Sequence, residues 1–131
     1  ACRPLVANRL ADVRTPLNMA RPVFAGSTLP RYDAMAARAF SDGWESLFPC
    51  TRGSIRSLSY NRGTGMAGES RREVRVIRDE CVPMAKADPA AAAHCVAREL
   101  RAMVRIWVNT NIEAGMRRRR YAEADLALLH P

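Results

Sequence analysis

Four cysteines, Cys2, Cys50, Cys81 and Cys95, constrain the fold of this 131-residue chain more than any other feature. Zinc sites usually take their ligands from short paired spacings such as C-x-x-C, and the chain contains no such pair. An even number of cysteines without metal spacing therefore predicts two disulfides and no bound metal. Because disulfides persist in oxidising compartments, we expect a protein of the bacterial periplasm or the extracellular space.

The pairing of two of the cysteines follows from a predicted turn at residue 88. Asp88 is a favoured N-cap and Pro89 suits the first position of a helix, so a helix is predicted to begin there. Cys81 and Cys95 are equidistant from this turn and would lie at the same height in an antiparallel helical hairpin. The small side chains of residues 90–93 would allow the approach to within roughly 7 Å between Cα atoms that a disulfide requires. We therefore predict a Cys81–Cys95 disulfide.

By elimination, the second predicted disulfide joins Cys2 to Cys50. The alternative for Cys2 is a lipid anchor, because the modified cysteine of a bacterial lipoprotein follows a small residue. The even number of cysteines favours the disulfide. The sequence contains no apolar stretch of the roughly 18 residues that indicate a transmembrane segment.

Apolar residues recur mostly at helical spacing, which predicts an all-α fold. We expect a single helical domain over residues 1–131, built as a small bundle of four to five helices with two disulfides and one long Gly-rich loop. The predicted apolar stripes are Val6–Leu10–Val13, Ala36–Phe40–Trp44–Leu47, Val74–Ile77–Cys81–Met84, Ala92–Val96–Leu100–Met103–Trp107 and Ala122–Leu126–Leu129.

Prolines set the predicted boundaries in the first part of the chain. A first helix begins at Pro4, and residues 16–31 form an irregular connection. A second helix begins at Pro30, and Pro49 ends it because proline cannot continue a helix.

Capping signals set the later boundaries. Ser70 and Glu73 match a capping box and predict the start of a helix, which Pro83 ends or kinks. The helix that begins at Pro89 is expected to reach about Gly115, because glycine is common just after helix ends. A short final helix follows.

Residues 51–69 are rich in glycine and serine without clear alternation, which predicts a long ordered loop. Within it, residues 63–68 match the pattern G-x-G-x-x-G. A dinucleotide site needs a strand before this pattern, a helix after it and a parallel sheet. The strand is weakly supported and no β-α alternation follows, so we interpret the match as accidental and expect no cofactor.

A long loop on a rigid scaffold often carries recognition. The net charge of +8 favours a partner with an acidic surface. The predicted partner-binding residues are Arg52, Arg56, Tyr60, Arg62 and Met66.

The run Arg117–Arg120 has two interpretations. In one, it is the solvated end of a helix, where positive charge near the C-terminus is favourable. In the other, it binds phosphate or an acidic protein, because guanidinium groups pair with anions. Nucleic acid is the less favoured partner, since an oxidising compartment rarely contains it.

The sequence offers no complete catalytic set. His94 and Cys95 are adjacent and would diverge by about 100° on a helix, so they cannot form a nucleophile–base pair. His130 lies next to the end of the sequence. The neighbouring carboxylates, Glu123 with Asp125 and Asp79 with Glu80, are interpreted as solvated helix faces. Trp44, Trp107, Met84 and Met103 are interpreted as core residues.

These observations lead to a functional hypothesis of a non-enzymatic periplasmic or cell-envelope protein that acts through protein–protein contacts. Such a protein would act either as an inhibitor of the immunity type or as an adaptor. The sequence does not decide whether it forms a homodimer. One alternative is a secreted effector or small hydrolase, which would need a cleft with perturbed pKa values. The other is a basic nucleic-acid-binding module, whose affinity would fall steeply with salt.

Overall fold

The computed structural model describes residues 14–129, and this part of the chain is all-α, with no strand. The predicted fold class is therefore confirmed, while the predicted helix that begins at Pro4 lies largely outside the described residues. By its internal contacts the chain divides into two units, one that ends at Arg31 and one that begins at Tyr32. The α-helices are α1 (Leu17–Val23), α2 (Leu29–Ala39), α3 (Pro49–Arg62), α4 (Arg72–Val76), α5 (Val82–Met84), α6 (Pro89–Ala102) and α7 (Glu113–Ala127).

The irregular connection predicted for residues 16–31 is helical instead. A π-helical stretch, Phe24–Thr28, follows α1, and the amide of Leu29 donates to the carbonyl of Phe24, five residues earlier. Pro30 comes next in the chain. A wider π turn moves backbone groups away from a proline ring that would clash in a regular α-helix. The proline-rich composition was therefore a misleading signal for a loop.

The second predicted helix is shorter than its apolar stripe suggests. α2 ends at Ala39, and a short 3₁₀ turn follows at Trp44–Ser46. Between them Gly43 has a φ of +97°, a left-handed conformation that glycine adopts without steric cost. All four stripe residues are nevertheless buried in the same hydrophobic core cluster; they are Ala36, Phe40, Trp44 and Leu47.

The largest correction concerns the loop predicted for residues 51–69. Pro49 does not end a helix but takes the first position of α3, which continues to Arg62. The small polar side chains fit a buried helix face because their hydroxyls bind backbone carbonyls. Thr51 Oγ1 donates to the carbonyl of Ala127 in α7 at 2.8 Å. The loop itself therefore shrinks to residues 63–68.

The helical hairpin around residue 88 is confirmed. Asp88 caps α6 by accepting a hydrogen bond from the amide of Ala91 at 2.9 Å, and Pro89 is its first residue. Cys81 and Cys95 form a disulfide with a Cα–Cα distance of 5.3 Å.

The second predicted disulfide is not found in residues 14–129. Cys50 is a free, half-buried thiol near the start of α3, and its predicted partner Cys2 lies outside the described residues. The structure therefore supports one disulfide of the two predicted.

The predicted capping box is absent, and one residue of the apolar stripe that follows it is exposed. Ser70 lies in a 3₁₀ turn, and no side chain caps α4, so the Glu73 carboxylate takes another role described below. Pro83 lies one residue before the end of α5, after a π-helical stretch, as expected for a proline that ends or kinks a helix. Met84, assigned to the core from its spacing, is 40% exposed.

The helix predicted to run from Pro89 to Gly115 is two helices. α6 ends at Ala102 and continues as a 3₁₀ stretch to Trp107. Gly115 is the third residue of α7 instead of a C-terminal stop. Met103 is buried in the core as predicted.

The last helix, α7, packs on α3 and α6. The predicted apolar face of Ala122, Leu126 and Leu129 is not the buried one, since Leu129 is 62% exposed. The buried face is formed instead by Arg120, Glu123, Ala124 and Ala127.

Removal of the Cys81–Cys95 disulfide gives the first testable prediction. We expect the Cys81→Ala/Cys95→Ala variant to lose about 3 kcal/mol of unfolding free energy, because the cross-link restricts the unfolded chain. Urea unfolding followed by circular dichroism measures the loss. Cys50→Ala is the matched control and should change stability little, since its thiol is free. Equal stability of the two variants would argue against the disulfide.

Candidate functional site

Arginine side chains hold the glycine-rich loop at residues 63–68 in place. Each donates to backbone carbonyls of the loop or its borders, which leaves those carbonyls satisfied without regular secondary structure. α3 precedes the loop, so the strand that a dinucleotide site requires is absent at this place. The bonds run from Arg62 to Ser70 at 3.0 Å, from Arg71 to Arg62, from Arg75 to Met66 and Gly68 at 2.7 Å each, and from Arg105 to Glu69 at 2.9 Å.

The Glu73 carboxylate connects α4 to the 3₁₀ stretch that follows α6. Arg105 Nε donates to its Oε1 at 2.5 Å, and Arg72 Nη2 donates to the same oxygen at 3.2 Å. Burial acts to raise the pKa of Glu73, but the Arg105 hydrogen bond, the backbone amide and both arginine charges outweigh it and hold the pKa below its ordinary value. This carboxylate is a structural anion, paired from two sides.

Two of the predicted partner-binding residues belong to this internal arrangement. The Arg62 guanidinium lies over the Trp107 ring, 5.0 Å from its centroid. Burial, together with the charges of Arg71 and Arg120, lowers the pKa of Arg62. Met66 is half-buried and packs against the core. Both residues therefore stabilise the loop.

The other three predicted residues lie on one face of α3, because they are four residues apart in the helix. Arg52 pairs with Glu45, with 2.8 Å between Nη1 and Oε2. Arg56 Nε donates to Asp33 at 2.9 Å.

Tyr60, 51% exposed, completes this α3 face. Its ring meets Tyr32 edge-to-face at 4.8 Å between centroids. The structure thus brings together three of the five predicted residues and separates the other two.

A second basic surface lies at the start of α7, and the sequence interpretation missed its character. We call Arg117, Arg118 and Arg119 the α7 basic end. Because α7 begins at Glu113, these arginines lie in the second turn of a helix and not at a C-terminus. The macrodipole, which is positive at a helix N-terminus, therefore does not stabilise them.

The α7 basic end surrounds two adjoining shallow depressions of about 470 and 560 Å³. Arg118 lines both depressions, and Arg117 and Arg119 line one each. No side chain caps α7; the Glu113 amide donates to the carbonyl of Thr110 at 3.2 Å, and the amides of Ala114 and Gly115 belong to the turn whose N–H groups have no acceptor within the helix. Next to them Ile112 is 51% exposed. The surface thus combines cationic and amide donors with an apolar side chain.

The three arginines differ in how their charge is compensated. Arg117 Nη2 donates to Glu113 Oε1 at 2.9 Å, and this bond, with the Asn109 amide, lowers the pKa of Glu113. Arg119 donates to the neutral amide oxygen of Asn61. Within residues 14–129 no ion pair neutralises Arg118 or Arg119, so two positive charges remain for a ligand.

The fourth arginine of the run, Arg120, is completely buried. It pairs with Glu123, with 2.9 Å between Nη1 and Oε2, and Ser57 donates to Glu123 Oε1 at 2.7 Å. Burial raises the pKa of Glu123 and outweighs the opposing effects of Arg120 and Ser57. The interpretation of Glu123 as a solvated carboxylate is therefore wrong.

The histidines and cysteines considered as catalytic candidates do not form a site in the described residues. His94 is exposed, and Cys95 is in the disulfide, while His130 lies outside the described residues. In the part of the chain from 14 to 129, no group of three or more His, Cys, Asp or Glu side chains is placed to hold a metal ion. In the same part, no helix is long and apolar enough to cross a membrane.

No family of proteins, no curated protein and no solved structure is significantly similar to this chain. Its described residues define an all-α protein with one disulfide. Any function must therefore be argued from its own surfaces.

Proposed function

We propose that this chain is a non-enzymatic binding protein of the bacterial periplasm or the extracellular space, and that its α7 basic end binds an acidic surface of a partner protein. The observation that carries the proposal is that, within residues 14–129, no carboxylate pairs with Arg118 or Arg119, while their neighbour Arg117 pairs with Glu113. Adjacent positive charges repel one another, and carboxylates from a partner would offset this repulsion.

The composition of the surface supports a protein partner. Arginine is enriched at protein–protein interfaces, and such interfaces combine an apolar centre with a polar rim. Ile112 and Val108 are half exposed, at 51% and 49%, and lie in the segment that leads into α7. Arg118 supplies a planar donor that suits bidentate binding of a carboxylate.

The α3 face of Arg52, Arg56 and Tyr60 is the competing surface. Its two arginines already pair with Glu45 and Asp33. An acidic partner would have to displace these carboxylates, so the net gain from each new ion pair would be small. The α7 basic end has fewer such competitors.

The Cys81–Cys95 disulfide supports the extracytoplasmic location, because disulfides are rare in the cytosol. In such a compartment a basic binding protein acts as an inhibitor of the immunity type or as an adaptor in an envelope assembly. Both forms need only a stable scaffold and an exposed contact surface.

Binding of a labelled oligo-glutamate peptide tests the surface, with oligo-glutamine as the uncharged control. We expect the Arg117→Gln/Arg118→Gln/Arg119→Gln variant to bind oligo-glutamate about tenfold more weakly in fluorescence anisotropy. Each exposed ion pair contributes about 0.2–1 kcal/mol, and about 1.4 kcal/mol corresponds to a tenfold change.

Arg52→Gln/Arg56→Gln is the matched variant on the α3 face. If it loses affinity while the α7 triple variant does not, the binding surface is the α3 face. If the unmodified chain binds an oligothymidylate of the same charge as tightly as oligo-glutamate, the surface does not select a protein partner. Nucleic-acid binding then becomes the favoured alternative. Photo-crosslinking from position 118 in an envelope extract then identifies the partner, and the triple variant shows whether capture depends on the arginines.

A further inference from the structure

The arginines around the loop at residues 63–68 outnumber the carboxylates that could neutralise them. The two glutamates of this region, Glu69 and Glu73, each pair with both Arg72 and Arg105, at distances between 2.5 and 3.5 Å. The other arginines that hold the loop have no carboxylate partner within residues 14–129. They are Arg62, Arg71 and Arg75.

Two of these arginines also have buried donors without an acceptor. Arg62 Nη2 donates to the carbonyl of Ser70 at 3.0 Å, and Arg71 Nη2 donates to the carbonyl of Arg62. These bonds cross the ends of the loop in opposite directions and hold both side chains next to it. The other terminal nitrogen of each guanidinium group, Nη1, is buried and has no hydrogen-bond partner. A buried charged donor without an acceptor is unfavourable.

The charges around Arg62 favour an anion. Burial lowers the pKa of Arg62, and the charges of Arg71, Arg120 and Arg105 lower it further, while the charge of Glu73 acts in the opposite direction. Positive groups therefore lie close enough to Arg62 to repel it. An anion bound among them would relieve this repulsion and would accept hydrogen bonds from the unpartnered nitrogens.

The backbone of the loop adds neutral donors. Within the described residues, the amides from Thr64 to Gly68 donate no backbone hydrogen bond. An added Cβ at Gly63, Gly65 or Gly68 would meet no atom within 4 Å, so the loop has room to adjust around a ligand. Successive amides in glycine-rich turns form concavities that bind anions.

We propose that the loop at residues 63–68, together with the guanidinium groups of Arg62 and Arg71, binds an inorganic oxyanion of the phosphate or sulfate type. Two forked guanidinium groups suit an ion that has several acceptor oxygens. The unpartnered Nη1 atoms are buried, which favours a small ion over the acidic face of a protein. The site uses different residues from the α7 basic end, so the inference does not depend on the proposed function.

Isothermal titration calorimetry of the full chain with inorganic phosphate tests this inference, at constant ionic strength with chloride as the background anion. We expect a saturable site for which sulfate competes. Arg71→Lys keeps the positive charge and a donor for the Arg62 carbonyl but removes the second nitrogen of the fork. It should bind phosphate about tenfold more weakly, because lysine lacks the bidentate geometry of arginine.

Arg75→Lys is the matched control for Arg71→Lys. Arg75 holds the same loop, but its Nη1 already donates to the carbonyls of Met66 and Gly68, at 2.7 Å each. Arg75→Lys should therefore keep the phosphate affinity of the unmodified chain. Urea unfolding of both variants verifies that they fold.

The fluorescence of Trp107 provides a second readout, because the Arg62 guanidinium lies 5.0 Å from the centroid of its ring. Phosphate bound to Arg62 should change this emission with the same midpoint as the calorimetric signal. Trp107→Phe should lose the change in emission and keep the calorimetric site.

Three results would overturn the inference. The first is the absence of a saturable phosphate site, and the second is an affinity of Arg71→Lys no lower than that of Arg75→Lys. The third is loss of the site in Arg117→Gln/Arg118→Gln/Arg119→Gln, which would assign the phosphate to the α7 basic end. Arg71→Lys should bind oligo-glutamate like the unmodified chain, so failure of this inference and failure of the proposed function are seen separately.

Discussion

Replacing Gly43 with alanine is expected to destabilise the second unit by about 4 kcal/mol or more, at the extreme of single substitutions. An added Cβ would lie 2.3 Å from the backbone oxygen of Val82 and 3.2 Å from Cα of Pro83. The φ of +97° adds conformational strain for any residue with a side chain. Neither obstacle can move easily, because Val82 and Pro83 follow directly on the disulfide-bonded Cys81.

Two other glycines separate the clash from the strain. Gly63 has φ +70° and ψ 178°, a backbone conformation that is essentially restricted to glycine, but an added Cβ there meets no atom within 4 Å, so Gly63→Ala should lose about 1–3 kcal/mol from strain alone. Gly115 lies inside α7 with equal space around it, and Gly115→Ala should gain about 1 kcal/mol, since alanine is the better helix former. Urea unfolding of the three variants gives this order. Similar losses for the alanine variants at 43 and 63 would show that the backbone contact is not tight.

The parts of the fold that could be predicted from the sequence depend on neighbours along the chain. Asp88 and Pro89 define the start of α6 by local capping chemistry. The Cys81–Cys95 pair follows from the same turn, because residues equidistant from it meet in a hairpin. The core positions of Val96, Leu100 and Met103 follow from helical periodicity, whereas Trp44 is buried although it lies in a separate 3₁₀ turn.

α3 could not be predicted because its stability comes from distant contacts. Its buried face includes Thr51, Ser54 and Ser59, residue types that favour turns and caps when viewed locally. They are accommodated because their hydroxyls bind carbonyls of the helix and of α7. No short-range pattern reports the face of α7 against which α3 packs.

The start of α7 could not be predicted because no local signal marks it. Its N-cap position is Ile112, which supplies no side-chain hydrogen bond. Gly115, in the first turn, is a residue type that usually follows a helix. One interpretation of the sequence consequently placed Arg117–Arg119 at the C-terminal end of a helix, whereas they lie near the N-terminal end of α7. The candidate surface emerges only when the helix start is known.

Removal of the buried Arg120 charge should be nearly as damaging as the Gly43 substitution. We expect Arg120→Met to lose about 3–5 kcal/mol of unfolding free energy, because Glu123 would remain buried without its counter-charge. Arg120 is 0% exposed and Glu123 is 5% exposed, so water cannot replace the missing partner. Chemical unfolding at neutral pH measures the loss.

Glu123→Leu combined with Arg120→Met should recover most of this stability. The native pair is incompletely satisfied, since Arg120 Nε has no hydrogen-bond acceptor and the 2.9 Å contact between Nη1 and Glu123 Oε2 is an ion pair without hydrogen-bond geometry. Replacing an imperfect buried pair with apolar side chains of similar volume is often neutral or favourable. Ser57, which loses its acceptor, is changed to alanine in the same variant. If this variant is no more stable than Arg120→Met alone, the cost arises from lost packing instead of an unpaired charge.

The pH dependence of Arg120→Met provides a further check on the same charge. Burial already raises the pKa of Glu123 above its ordinary value of 4.5, and loss of the arginine raises the pKa further. Between 4.5 and the raised pKa the folded state holds more protons than the unfolded state, so stability falls as pH rises through this window. Arg120→Met should therefore regain stability on acidification towards pH 4.5. Arg120→Met/Glu123→Gln has no carboxyl to titrate at this position and should lack that gain; a gain of the same size in both variants would assign the pH effect to another carboxyl.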